Sequence, residues 1–577
     1  MCATDDSVFR LTLLLQTNHT LMAFFRHAKI LCLLFIWLIY AAGVSAQNKP
    51  NIIIVMADDL GFSDIGCYGG EIKTPNLDRL ASHGLRMTSF YNASRCCPTR
   101  ASLLTGQYPH TAGIGNMTSD QGQPGYRGFL QPNVVTIAQV LKGAGYQTGM
   151  VGKWHVSETE PLPTKEEQLA WLDHQITNRD FSDTLSYPVH KGFDKYYGNI
   201  WGVVDYFDPF SLVNGTRPIQ SVPKDFYYTT AIGDSTASYI RQFAQKEVPF
   251  FMYVAFTAPH WPLQALESDI RKYENTYKKG WNYIREKRYQ KMLKLGLIKP
   301  NQVKLSRFMT PERGWEKNAD SLWDARAMAV HAAMVDRLDQ NIGKMMDALQ
   351  KSGQLDNTLI VFLSDNGASP EQPAKFGPGF DRSGTTRDSR KISFSVNKDV
   401  MPGPQTTHFG IGPEWANVSC TPFRYWKSKE HEGGIATPFI AYWPNKIKAQ
   451  NKISDEPAHI IDLMSTCTDI AGAIYPETFE GHRITPTPGK SLLPLWTGKQ
   501  KAHLHDELFW EHNGAAALRQ GNWKIVRVDI NAPWELYDLA KDRSETQNLS
   551  ATYPQRMEAM KKKWEELANR YSVFPKP

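Results

Sequence analysis

The chain has 577 residues, 41% of them hydrophobic and 21% charged, with a formal net charge of +7. This is the composition of an ordinary globular protein, long enough for one large domain and a small one. It excludes a disordered or low-complexity chain, and the mild positive excess gives no reason to expect a nucleic-acid partner.

Taken in chain order, the first feature is a targeting segment. Arg26, His27 and Lys29 make a basic start, residues 30–42 an apolar run, and Val44-Ser45-Ala46 a small-residue cleavage site. This reads as a signal peptide cleaved near Ala46, with Met22 an alternative start; the run is short for a membrane span. The mature protein is then exported, periplasmic or secreted, with no membrane span. Losing residues 1–46 lowers the net charge from +7 to +6, which suits an anionic substrate as well as plain solubility. The remaining cysteines, Cys67, Cys96, Cys97, Cys420 and Cys467, are odd in number and irregular in spacing, so no disulfide scaffold is expected.

Apolar strand-like runs follow at 51–57 (NIIIVMA), 146–151, 250–256 (FFMYVAF) and 359–363 (LIVFL). A helix is predicted over 325–351, where Val335, Leu338, Ile342, Met345 and Leu349 recur at helical spacing. The alternation predicts an α/β fold: a large, mostly parallel sheet covered by helices on both faces. Residues 267–323, polar, basic and aromatic, read as an insertion that walls a pocket. After residue 498 the runs DELFWEH, ALRQGNWKIVRV and WELYDL predict antiparallel strands, followed by a helix with Met557, Met560, Trp564, Leu567 and Tyr571 on one face. The expected organisation is therefore 1–46 as N-terminal extension and signal peptide, 47–498 as the catalytic domain, and 499–577 as a small C-terminal α+β domain.

In open parallel sheets, sites form beyond the carboxyl ends of the strands. Here those exits carry Asp58-Asp59, then Lys153 and His155, then His260, then Asp365-Asn366. Asp58, Asp59, Asp365 and Asn366 offer only oxygen ligands, a set for a hard cation, Ca²⁺ or Mg²⁺. Lys153 and His155, two apart, share a face in an extended segment. Tyr196, Tyr197, Trp201, Tyr206, Phe207 and Phe210 make either an aromatic substrate wall or core. In SRCCPTRASLLTG (94–106), Pro98 suits a first helical position and Gly106 a helix stop. Cys96 then lies just ahead of an anion-friendly helix end, with Arg100 one turn along. A thiolate nucleophile there matches a hard oxygen-ligated ion poorly.

Cys96-x-Pro98-x-Arg100 followed by Ala-Ser-Leu-Leu-Thr105-Gly106 resembles the sulfatase signature. So do ADDLG at 57–61, TPNLDRLA at 74–81, GKWH at 152–155, SDNG at 364–367 and EGG at 432–434; the run from Thr421 to Pro444 is similar to bacterial arylsulfatases. Val156-Ser157 after GKWH departs from the common Leu-Gly, outside the reacting groups.

The resemblance implies that a maturation enzyme oxidises Cys96 to Cα-formylglycine, with Cys97 at the variable position. The hydrated aldehyde attacks sulfur and forms a covalent sulfated intermediate. Asp58, Asp59, Cys96, Asp365 and Asn366 match the family's calcium ligands, one Ca²⁺ per chain. Arg100 and Lys153 hold residue 96 in its hydrated form, and Asp365 accepts a proton from the attacking hydroxyl. His155 takes the proton of the second hydroxyl, so that sulfate is expelled. His260 and Lys427 bind sulfate and protonate the leaving oxygen; Lys427 is placed by its distance from Glu432, with Lys429 a competitor. The implied substrate is a sulfated small molecule or glycan, an aryl or carbohydrate sulfate. A formylglycine-dependent phosphonate monoester or phosphodiester hydrolase is the alternative.

Overall fold

Four apolar runs become the middle of a ten-stranded sheet. Asn51–Ala57, Gln147–Gly152, Phe250–Ala255 and Thr358–Ser364 are buried almost throughout, as strands covered on both faces must be. The computed structural model describes residues 49–577 apart from 159–162, 165, 168–179, 309–313, 374–384, 387, 395–396, 449–450 and 501. The signal-peptide reading lies outside the described residues.

Thr358–Ser364, Asn51–Ala57, Phe250–Ala255, Gln147–Gly152 and Lys195–Asn199 lie side by side in that order and run parallel. Their register keeps the ends level: Ala57 pairs with Ser364, Met56 with Ala255, and Gly152 with Ala255. The flanks are mixed. Phe439–Tyr442 runs antiparallel to both Thr358–Ser364 and Leu85–Met87, while Leu212–Asn214 and Arg217–Pro218 close the other side antiparallel. The expected mostly parallel sheet is thus a parallel centre with short mixed flanks, Lys452–Ser454 running parallel to Leu85–Met87, whose two to four residues are too few to show a period in the sequence.

Helices cover both faces. The long helix Ser321–Lys351 begins four residues before its predicted start and packs on Tyr228–Phe243 and Pro75–Ser82. A second group brings together Cys96–Thr105, Ile137–Gly143 and Asp462–Ala471. Within the segment read as an insertion, the helix Gly280–Lys294 carries a buried Arg288 whose guanidinium lies 2.7 Å from Asp64 and 2.7 Å from Glu71. That arginine fastens the segment to the body of the protein.

Near the C-terminus, Glu507–His512, Ala515–Gln520, Trp523–Arg527 and Glu535–Asp538 form a separate four-stranded antiparallel sheet in sequence order. The run read as one strand, ALRQGNWKIVRV, is two, broken at Gly521 with φ of 56°. The helix Pro554–Arg570 covers this sheet with Met557, Met560, Trp564 and Leu567; Tyr571 lies just past its end and meets the ring of Tyr108 at 4.3 Å. Among the described residues no helix is long and apolar enough to cross a membrane.

Candidate active site

Level strand ends deliver their exit residues to one rim, and ten predicted side chains meet there. The turn after Gln147–Gly152 depends on a glycine: Gly152 has φ of 101° and lies so close to the Ala255 carbonyl that a Cβ would overlap it. His155 is itself left-handed, at φ 57°, so the segment is not extended as its spacing suggested. Lys153 and His155 diverge within the site. Lys153 Nζ lies 2.6 Å from Asp58 Oδ2, and His155 Nε2 lies 3.1 Å from Cys97 Sγ. Asp59, at φ 65°, is a third strained position, of a kind that collects where function fixes the backbone.

Cys96 is the first residue of the helix Cys96–Thr105, capped by the extended Arg95 and stopped by a left-handed Gly106. Pro98 therefore occupies the third helical position, not the first. It is tolerated there because the first four N–H groups of a helix have no partner within it. Arg100 does not fold back toward Cys96 alone: Nη2 lies 2.8 Å from Asp365 Oδ2 and 3.6 Å from Asp58 Oδ2, and Nη1 donates to the Lys153 carbonyl and the Tyr253 hydroxyl.

Asp58, Asp59 and Asp365 present carboxylate oxygens within 4.8 Å of one another, all buried. Asn366 Nδ2 donates to Asp59 Oδ1, 2.6 Å away. Asp58 Oδ1 and Asn366 Oδ1 are buried without a hydrogen-bond partner. Three crowded carboxylates, with one orphaned carboxylate oxygen and one orphaned amide oxygen among them, fit a hard divalent cation, which attracts all of them at once.

Lys427 Nζ lies 2.9 Å from Asp59 Oδ2 and 3.2 Å from His260 Nε2. Lys429 points elsewhere, its Nζ donating to the Val528 carbonyl just past the strand Trp523–Arg527. His260 Nδ1 lies 2.6 Å from the Trp261 carbonyl oxygen, which only accepts, so Nδ1 carries the proton and Nε2 of the neutral ring is left as an acceptor.

The charges are set by burial and by each other. Burial, reinforced by the Asp365 charge, raises Asp58 well above the usual carboxylate range. Asp365 is buried too, yet the Arg100 and Lys153 cations hold it low. Burial, then Lys153 and Arg100, push His155 well down, and burial takes His260 to about 3 despite Asp59 beside it. Lys427 goes up against its burial because Asp59 faces it. Burial also raises the Cys96 thiol. The site thus holds two neutral imidazoles and a lysine that keeps its proton.

Two neighbours were not foreseen. Glu371 lies 2.8 Å from Arg95 and 3.6 Å from Lys427, and both residues are close in sequence to motif positions, the one signal that pointed to them. The aromatic residues offered as a wall are largely core. Tyr206 donates to the Thr257 and His260 carbonyls, Tyr196 to those of Gly152 and Asn199, and Trp201 packs edge-on against His155. A cavity of about 550 Å³ lined by Thr88, Leu297, His505 and Arg543 lies apart from this rim and takes none of its residues. All five described cysteines are buried and unbridged.

The sulfatase family model matches residues 50–473, and a model for the C-terminal part of N-sulphoglucosamine sulphohydrolase matches 424–571. An uncharacterised sulfatase of Schizosaccharomyces pombe is 32% identical over 551 residues, covering 90% of this chain and 93% of its own. The arylsulfatase of Klebsiella aerogenes is 33% identical over 479 residues, 81% of this chain and 96% of its own. The crystal structure of Ps i-CgsB with k-i-k-neocarrahexaose superposes with a TM-score of 0.60 at 25% identity, over 92% of this chain and 98% of that one.

Proposed function

This chain belongs to the sulfatase family and is a sulfuric ester hydrolase, and from that premise we propose that it is an exported, Ca²⁺-dependent enzyme that cleaves carbohydrate sulfates through a formylglycine made from Cys96. The observation that carries the reading is the convergence at one buried helix start: Cys96 at the first helical position, three carboxylates with the orphaned Asp58 Oδ1 and Asn366 Oδ1 among them, and the Lys427–His260 pair against Asp59. The neocarrahexaose complex of a relative at 25% identity favours a carbohydrate.

Asp58, Asp59, Asp365 and Asn366, with residue 96, would hold the Ca²⁺, which when bound polarises the sulfate oxygens. Oxidation of Cys96 by a formylglycine-generating enzyme would replace a thiol that burial keeps protonated. Arg100 and Lys153 fix Asp58 and Asp365 in place. His155, neutral and buried, would accept a proton from residue 96, although its Nε2 faces Cys97 Sγ at 3.1 Å in this structure. The leaving oxygen would take its proton from Lys427, since Nε2 of His260 carries none; His260 accepts a hydrogen bond from the ammonium and orients it.

Kinetics with sulfate esters and phosphodiesters, on protein whose residue 96 is shown by peptide mass spectrometry to lack sulfur, test the proposal. Sulfate esters should be preferred, and Cys96→Ala should remain folded while losing turnover by about 10⁴-fold or more, as for other covalent nucleophiles. Preference for a phosphonate monoester or phosphodiester, or full activity in Cys96→Ala, would refute it.

A further inference from the structure

Glu371 and Arg95 stand at the outer edge of the site. Their side chains are 31% and 16% exposed, whereas those of Asp59, His260 and Lys427 are 5% exposed or less. Glu371 Oε2 accepts from the Trp261 indole N–H at 2.7 Å and from the Ser369 hydroxyl at 3.2 Å, and Oε1 accepts from Arg95 Nη1 at 2.8 Å. Its carboxylate lies 3.6 Å from Lys427 Nζ. An alcohol esterified to a sulfate at Lys427 and His260 is therefore led past this pair.

The pair is not saturated. A carboxylate accepts about four hydrogen bonds, and three are taken, which leaves an acceptor position on Oε1. Arg95 Nη1 serves Glu371 and the Ser428 hydroxyl, but its Nε is buried without a partner. That Nε is closed to a substrate, so the open position is the Glu371 acceptor, which Arg95 holds in place through Nη1. A hydroxyl on the carbon next to the ester supplies its complement. A phenol or steroid supplies none and would cover the carboxylate without satisfying it, which is the usual way a polar site rejects an analogue lacking the hydroxyl.

We infer that Glu371, held in place by Arg95, reads the departing alcohol, selecting a carbohydrate sulfate with a free hydroxyl adjacent to the ester over an aryl or steroid sulfate. This rests on the placement of sulfate at Lys427 and His260 proposed above.

The test measures kcat/KM for a monosulfated hexose, its deoxy analogue lacking the adjacent hydroxyl, and nitrophenyl sulfate, on converted wild type and on Glu371→Gln. In wild type the deoxy compound should be about 10- to 100-fold poorer than its parent, the range of a hydrogen bond to a charged group. In Glu371→Gln that penalty should shrink to within about threefold, and the loss on the hexose sulfate should exceed the loss on nitrophenyl sulfate by about tenfold. No deoxy penalty in wild type, or equal losses on all three substrates in the variant, would overturn the assignment and leave the sulfatase mechanism standing. A wild type that hydrolyses none of the three would overturn both.

Discussion

One loop, residues 424–436, joins two buried charge clusters of opposite character. Toward the strand ends it sends Lys427 among Asp58, Asp59, Asp365, Arg100 and Lys153. Toward the C-terminal sheet it sends Glu432 between Lys524 and Arg543, 3.1 and 2.9 Å away, with the Tyr91 hydroxyl donating to the same carboxylate. Glu545 completes this second cluster, 2.8 Å from Lys524 and accepting from the Glu432 backbone N–H. Both clusters are sealed from water and mix both signs. They differ in what is left over. In the second, both Glu432 oxygens are paired, and Lys524 and Arg543 hold its carboxyl down at about 2 against its burial. In the first, Asp58 Oδ1 and Asn366 Oδ1 have nothing. The second cluster is held by charge pairs throughout, including Glu545 Oε1, which faces Lys524 at 2.8 Å without a hydrogen bond, whereas the first leaves oxygens for a ligand.

The largest effect should come from removing a carboxylate on the incomplete side. Asp58→Ala should lose bound Ca²⁺ and about 10²–10⁴-fold in turnover, the scale of metal-based charge stabilisation. Its melting temperature in a chelator should lie within a few degrees of that of chelated wild type, since the repulsion relieved among three carboxylates offsets the partner lost by buried Lys153, 2.6 Å from Asp58. Elemental analysis and calorimetry check both halves. Stoichiometric zinc in active enzyme, or a large loss of stability in chelator, would break the comparison.

The complete cluster should behave in the opposite way. Glu432→Ala leaves buried Arg543 without its carboxylate and Lys524 with Glu545 alone, and breaking a buried pair on one side costs about 3–5 kcal/mol. Denaturant titration should therefore show a loss of stability far larger than that of Asp58→Ala, with Ca²⁺ content preserved in the folded fraction. Because Arg424, Lys429 and His431 also bind the C-terminal sheet, through Tyr537, Val528 and Glu535, this sheet is the platform that aims Lys427. A Glu432→Ala protein as stable as wild type would remove that role.

The two clusters were unequally legible in the sequence. The catalytic one follows from strand exits: a parallel sheet with level ends must bring residues 58, 155, 260 and 365 together, whatever loops intervene. Its finer geometry was hidden, because a left-handed His155 and a third-position Pro98 are decided by neighbours such as Ala255 and not by local spacing. Of the Glu432 cluster only EGG at 432–434 stood out, as a motif and not as a charge centre. Lys524 lies in a strand where its charge reads as solvent-facing, and Arg543 in a turn-rich segment; only the docking of one sheet on one loop makes them buried partners. The short flank strands were unreadable for the related reason that three residues hold no period.

Glu430 sits between the two clusters and offers the smallest and sharpest test. Its Oε1 accepts from the Ser94 hydroxyl at 2.8 Å, its Oε2 is buried with no partner, and burial pushes its carboxyl up to about 8. Glu511 adds to the rise, while Lys524 and Lys429 oppose it too weakly to reverse it. Like the catalytic acids it is incomplete, but it lacks their ring of carboxylates, so protonation rather than a cation should satisfy it. The unfolded chain releases this proton near the ordinary glutamate value of about 4.3. The folded chain keeps it to about 8. The contribution to stability is thus fully present below the unfolded value and is lost as pH climbs between the two. Glu430→Gln cannot ionise, so its melting temperature relative to wild type should rise from pH 5 to pH 8 by about 1–3 °C, a modest shift because the chain is large. A difference that stays flat over this range would mean that Glu430 is already ionised when folded, and would place it with the paired acids of the complete cluster.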